Sequence, residues 1–244
     1  MNTTLLLGPA SSGKTHTCLN IIRAFQQEHA RASVWVVLPD RAQVVAFRRR
    51  FADAGGGLGV RIETVQAFIE DLVIRLDVQR PRASAPIRRR LVQTALKELS
   101  RAGDIPHYRP IAHTAGLSHV LSDRFIELKR AGWTPEEMQA ALSSPGQPVQ
   151  EILAILSRYQ AHLQQVGWED GQGLARLAAQ NLRQNPQSLS PIRLVLMDGF
   201  DSFPANQIGL LSALSESVEQ LVITLPMRGE PEKQDFPRFK QAYD

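Results

Sequence analysis

The octapeptide GPASSGKT, Gly8 to Thr15, restricts this chain more than any other feature. It fits G-x-x-x-x-G-K-[ST]. Before it comes a short apolar run, TTLLLG (Thr3 to Gly8); after it, Cys18, Ile21, Ile22 and Phe25 fall at helical spacing. A buried strand must therefore pass through a glycine-rich loop directly into a helix. Glycine lets the backbone curl so that successive N–H groups point at phosphate oxygens, and the helix N-terminus adds about half a positive charge. Gly8, Ser11, Ser12, Gly13, Lys14, Thr15 and His16 are the candidate nucleotide-binding residues. In such a loop the lysine reaches the β- and γ-phosphates and the Thr15 hydroxyl ligates magnesium. The alternative is a glycine-rich turn that holds no ligand.

The segments around the loop predict an α/β fold. SVWVVLP (Ser33 to Pro39) and VRIET (Val60 to Thr64) read as further strands. Asp40 with Gln43, and Thr64, read as helix caps. The alternation then stops, and from Asp77 to Ser190 the patterns are helical, with Thr134, Pro135 and Glu137 forming a helix start. Strands return at IRLVLMD (Ile192 to Asp198) and QLVITLP (Gln220 to Pro226), with a helix from about Pro204 to Glu216 between them. The expected organisation is a discontinuous P-loop NTPase (RecA-like) core over 1–76 and 191–230. An all-helical subdomain over 77–190 is inserted in it, anchored by Trp133 and Trp168, and a polar linker covers 231–244. A crossover between parallel strands needs only a dozen or so residues, so an insertion this long must carry its own core.

Charge sharpens the reading. From Arg41 to Arg130 there are 17 Lys/Arg against 9 Asp/Glu; from Ala131 onward there are 8 against 13. A basic middle suggests a polyanionic partner, against the alternative of a solvated helical surface. One cysteine, Cys18, excludes a disulfide framework and an all-cysteine metal site in this chain, and suits a cytoplasmic setting. No apolar run approaches the roughly 20 residues of a membrane span.

LVLMDGFDSF (Leu194 to Phe203) poses the catalytic question. Asp198 ends an apolar strand and can hold magnesium opposite Thr15. Hydrolysis also needs a group that orients the attacking water, and Gly199 has no side chain to do so. Asp201, three residues on, is the nearest substitute; its competing role is to cap the helix that begins near Pro204. Lys14 and Asp198 are thus the candidate catalytic pair, with Asp201 behind them. A GTPase would need N-K-x-D, which the sequence lacks. A small-molecule kinase would seldom carry a basic helical insert.

Several segments together resemble the AddB/RexB subunits of bacterial helicase–nucleases, relatives of the UvrD-like helicases. They are LLLGPASSGKT, VVLPDRAQVVAFRRRF (Val36 to Phe51), IETVQAFIEDLV (Ile62 to Val73), RFIELKRAGWTPEEM (Arg124 to Met138), VGWEDGQGLARLA (Val166 to Ala178) and LMDGFDSFPANQIGLLSAL (Leu196 to Leu214). The resemblance covers nearly all of this chain but only about the first quarter of such a subunit. It implies ATP and Mg2+ as cofactors, DNA ends as substrate in recombinational repair, and a second, AddA-like subunit as partner. It also implies a nuclease with an iron–sulfur cluster, for which no residue here can be assigned. DNA contacts are expected from the carboxyl edge of the sheet, at Arg41, Gln43, Thr64 and Gln66; Phe68 is expected in the core. Because Gly199 follows Asp198, hydrolysis is expected to be weak or absent in this chain by itself. The alternative is a non-hydrolysing module that recognises DNA or a partner.

Overall fold

The computed structural model describes residues 2–29, 32–78, 80–142 and 146–227. The expected linker over 231–244, and the end of the core expected to reach 230, lie outside the described residues. In chain order the structure opens with β1 (Asn2–Gly8), α1 (Lys14–Glu28), β2 (Ser33–Leu38), α2 (Arg41–Asp53), β3 (Val60–Thr64) and α3 (Val65–Arg75). Five helices follow: α4 (Ala85–Ala102), α5 (Ala115–Arg130), α6 (Pro135–Ala141), α7 (Gln147–Gln165) and α8 (Gly171–Gln184). The last elements are β4 (Ile192–Met197), α9 (Ala205–Ser215) and β5 (Gln220–Pro226). Among the described residues the five strands form one all-parallel sheet in the order β1-β5-β4-β2-β3.

The chain divides into two compact units. The first holds Met1–Val78 and Leu177–Phe203 and resumes at Gln207; the second holds Gln79–Arg176 with Pro204–Asn206.

The first unit is built on the sheet. Parallel strands covered on both faces must be apolar on both, and β2 shows this: Val34, Val36 and Leu38 join a cluster with Cys18 and Ile22 of α1 and Val44 and Phe47 of α2. Trp35 points the other way and meets Phe68 of α3 edge-on at 4.9 Å. Phe68 is fully buried, as expected. The helices start where short polar caps stand: the Asp40 carboxylate accepts from the Gln43 backbone N–H at 2.9 Å, and the Thr64 hydroxyl from that of Ala67 at 3.2 Å. Each such cap contributes about 1 kcal/mol. The Gln43 carboxamide does not close a capping box; it turns to the Asp40 carboxylate, 3.3 Å away.

The second unit has its own core, with Val92 and Leu96 of α4, Leu121 and Phe125 of α5, and Leu156 and Tyr159 of α7. Thr134 and Glu137 form a complete capping box at α6. Asp170, at the entry to α8, is fully buried and accepts from Lys129 of α5 at 2.6 Å, Tyr159 of α7 at 3.3 Å and the Gly173 N–H at 2.9 Å. Trp168 packs against this core. Trp133 does not serve as the anchor expected of it: it is 44 % exposed. It stands in the turn after α5, past the last residue of that helix's apolar stripe.

Because every strand is parallel, the ends of β1, β2, β3, β4 and β5 all reach the same edge of the sheet. That edge carries the residues singled out above.

Candidate functional site

The loop from Gly8 to Gly13 leaves β1 and enters α1 through two left-handed backbone positions, Ser11 (φ 63°) and Gly13 (φ 88°). A side chain on Gly8 would press on the Ser12 hydroxyl. The first turn of α1 has no side-chain cap and no acidic residue. Its N–H groups and the positive end of the helix dipole are therefore left to an external acceptor. The Lys14 ammonium folds back across the loop, donating to the Gly8 and Pro9 carbonyls at 2.7 Å each and to the Ser12 hydroxyl at 3.4 Å.

Strand order brings Asp198 to the same place. It lies one residue past β4, and its N–H continues the ladder to the Val37 carbonyl of β2 at 3.1 Å. One carboxylate oxygen accepts from the Thr15 hydroxyl at 2.9 Å; the other accepts from the Thr224 hydroxyl of β5 at 2.6 Å. Asp198 is only 3 % exposed, and among the described residues no cationic side chain pairs with it. A buried carboxylate without a cation is costly unless something neutralises it. Cys18 feels the same environment: burial first, and the Asp198 charge second, push its thiol far above the usual range.

A cavity of about 760 Å³ opens here. It is lined by Ser11, Gly13, Lys14 and Thr15 of the loop, by Arg50 and Asp53 of α2, and by Asp198 and Gly199, among others. His16 is also in the lining and is exposed. Asp201 is exposed and is not among the lining residues.

The oxygen donors present, a hydroxyl and a carboxylate facing one another beside the glycine-rich loop, suit magnesium, which takes hard oxygen ligands and usually completes its shell with substrate phosphates and water. Among the described residues no group of three or more His, Cys, Asp or Glu could hold a metal without such help.

The expected DNA-contact residues sit at the same edge. Leu38 of β2 and Thr64 of β3 are register partners, so the starts of α2 and α3 lie side by side. Arg41 is exposed there, Thr64 is committed to capping, and Gln66 donates to Glu70 at 2.9 Å. Gln43 lies against the backbone after Asp198: a Cβ added to Gly199 would collide with its carboxamide oxygen.

Two residues at this site, Thr224 and Asp53, carry no motif that would single them out in advance. A threonine inside the otherwise apolar QLVITLP is the one available sign of Thr224, since a buried polar residue needs a partner. Gly199 adopts φ 79° and donates its N–H to the Thr224 hydroxyl at 3.2 Å. Thr224 thus ties the carboxylate and the turn behind it together.

The fold and site define an α/β protein with an all-parallel sheet and a candidate ligand site at its carboxyl edge, where open sheets of this class bind ligands. The family model "ADDB, N-terminal" matches residues 89–243, and the chain belongs to that family. The match starts beyond the glycine-rich loop and includes Asp198. Two curated relatives are similar over most of the chain, and both are named as the B-type subunit of an ATP-dependent helicase/deoxyribonuclease. The protein from Desulforamulus reducens is 22 % identical over 256 residues, covering 92 % of this chain and 20 % of the relative. That from Natranaerobius thermophilus is 25 % identical over 242 residues, covering 93 % and 20 %. The chain spans about one fifth of the length of these relatives. Among the described residues no helix is long and apolar enough to cross a membrane.

Proposed function

We propose that this chain is the ATP-binding front domain of a helicase–nuclease subunit that acts on DNA ends in double-strand-break repair. In this reading 1–76 and 191–230 form a P-loop, RecA-like core with 77–190 inserted, and an AddA-like subunit is the partner. The observation that carries it is Asp198: a buried carboxylate with hydroxyl partners alone among the described residues, facing the Lys14–Thr15 end of the loop. Magnesium would be held by Thr15 and Asp198; when bound, it neutralises phosphate charge. Gly8, Ser11, Ser12, Gly13 and His16 line or shape the triphosphate site, and Lys14 exchanges its contacts with the loop carbonyls for phosphate oxygens. Arg41, Gln43, Thr64 and Gln66 face DNA at the neighbouring strand ends.

Gly199 favours a second reading within this one, a module that holds nucleotide and hydrolyses it weakly or not at all. Asp201 does not line the cavity, which leaves that gap open. The test is ATP binding and turnover with and without single-stranded DNA, for the wild type and Lys14→Ala. Magnesium-dependent binding that Lys14→Ala abolishes is expected, with turnover well under about 1 s⁻¹, the low end of ordinary enzymes. Faster DNA-stimulated turnover would remove the second reading; absence of binding would remove both.

A further inference from the structure

Three consecutive arginines, Arg48, Arg49 and Arg50, stand near the end of α2. Successive residues on a helix point about 100° apart, so the three meet different surroundings. Arg48 turns to β3, where its guanidinium donates to the Ile62 carbonyl at 2.6 Å. Arg49 is not in the lining of the cavity at the glycine-rich loop; Arg50 is, together with Lys14, Thr15, Asp198 and Gly199. Among the described residues the Arg50 guanidinium has no hydrogen-bond or ion-pair partner. Asp53 lies three residues on, in the same lining, where an acid ordinarily pairs with an arginine. It does not pair with Arg50, whose charge stays open to the cavity. The place of α2 matters too. It packs with α1 on one face of the sheet, in a common cluster with β2. In the sheet β2 is the neighbour of β4, so α2 borders the loop on the side of Asp198.

We propose that Arg50 is a second phosphate-binding cation of this site, one that takes the γ-phosphate of a nucleoside triphosphate and makes the site favour triphosphate over diphosphate. The proposal rests on the ATP-binding reading above. Magnesium in such sites bridges β- and γ-oxygens. Held by Thr15 and Asp198, it draws the γ-phosphate to the flank that α2 borders. Charge points the same way. Lys14 is the one cation between Gly8 and Thr15, and half of magnesium's charge is answered by Asp198. A triphosphate keeps negative charge that these two leave uncovered. A guanidinium offers a planar fork that meets two phosphate oxygens at once. A diphosphate has no γ-oxygens to meet it, so Arg50 adds affinity only for the longer ligand.

The test is equilibrium binding to the 244-residue chain of two probes, magnesium–ADP and the magnesium complex of the β,γ-imido analogue of ATP. Wild type, Arg50→Ala, Arg50→Lys, Arg49→Ala and Lys14→Ala are compared, with melting temperatures alongside. Arg50→Ala is expected to weaken the triphosphate about 10-fold and to leave the diphosphate within about twofold. Arg50→Lys keeps the charge and loses the fork, and should weaken the triphosphate about threefold. Arg49→Ala removes the same charge one position away and should leave both affinities unchanged. Should Arg50→Ala fold poorly, Arg50→Lys decides. A wild-type ratio of triphosphate to diphosphate affinity in the deciding variant overturns the proposal. So does an equal loss in Arg49→Ala, which would make the effect one of overall charge. Either result leaves the binding site standing. A wild type that binds no better than Lys14→Ala overturns the binding reading itself.

Discussion

Asp170 and Asp198 make an instructive pair, because both are buried aspartates and only one is at rest. Asp170, in the helical unit, has an ammonium, a phenol and a backbone N–H on its oxygens. Its charge is answered within the protein, so it reads as a clamp joining α5, α7 and α8. Asp198, in the sheet unit, has two hydroxyls, which satisfy its hydrogen bonds and leave its charge. Burial alone does not separate structural from functional carboxylates. The kind of partner does.

The comparison can be broken most sharply at Lys129. Its side chain is 10 % exposed, and Lys129→Met would leave Asp170 as an uncompensated buried charge. A loss of about 3–5 kcal/mol is expected, seen as a fall in melting temperature of about 10 °C. Next comes Gly173→Ala: a Cβ there would strike the Glu169 carboxylate, and a loss of about 1–3 kcal/mol in chemical denaturation is expected. Asp198→Asn should behave in the opposite way. Removing a buried, unanswered charge should leave stability unchanged or raise it by about 1 kcal/mol, while the magnesium dependence of ATP affinity disappears. A large destabilisation by Asp198→Asn would mean that its two hydroxyl partners already answer the charge, and the contrast between the two aspartates would fail.

The smallest effect concerns Glu169, beside Asp170. Burial, and secondly the Asp170 charge, raise its carboxyl above the ordinary range against the pull of Lys129, Arg176 and Arg80. A carboxyl whose folded pKa is raised holds its proton more tightly when folded. Its contribution is therefore most favourable at low pH and is lost as pH rises from the ordinary carboxyl range through the raised folded value. Glu169→Gln should thus gain on the wild type more at pH 8 than at pH 5, by up to about 1 kcal/mol, in parallel melting curves.

Much of this was legible in the sequence, for local reasons. Strand and helix ends fell within a few residues of their expected places because apolar runs end at short-range signals: Asp40, Thr64 and Thr134 cap the helices that follow them. The contact between Thr15 and Asp198 could be anticipated from the loop and one acidic strand end. What could not be read depends on strand order. Thr224 reaches Asp198 because β5 lies between β1 and β4, and Gln43 reaches Gly199 because β2 lies on the other side of β4. No local pattern carries either fact. Trp133 misled for a related reason: an aromatic residue beside a helix looks like an anchor whether or not it has left the apolar stripe.

The packing behind Gly199 has a consequence for how such a chain can change over generations. A glutamate introduced there alone would evict Gln43, strain a left-handed residue by about 1–2 kcal/mol, and crowd a third acid against Asp40 and Asp198. A side chain at position 199 is therefore accommodated only when the residue at 43 moves aside or changes with it. Lineages that drift one codon at a time would meet a barrier between a bare position 199 and one that bears a side chain.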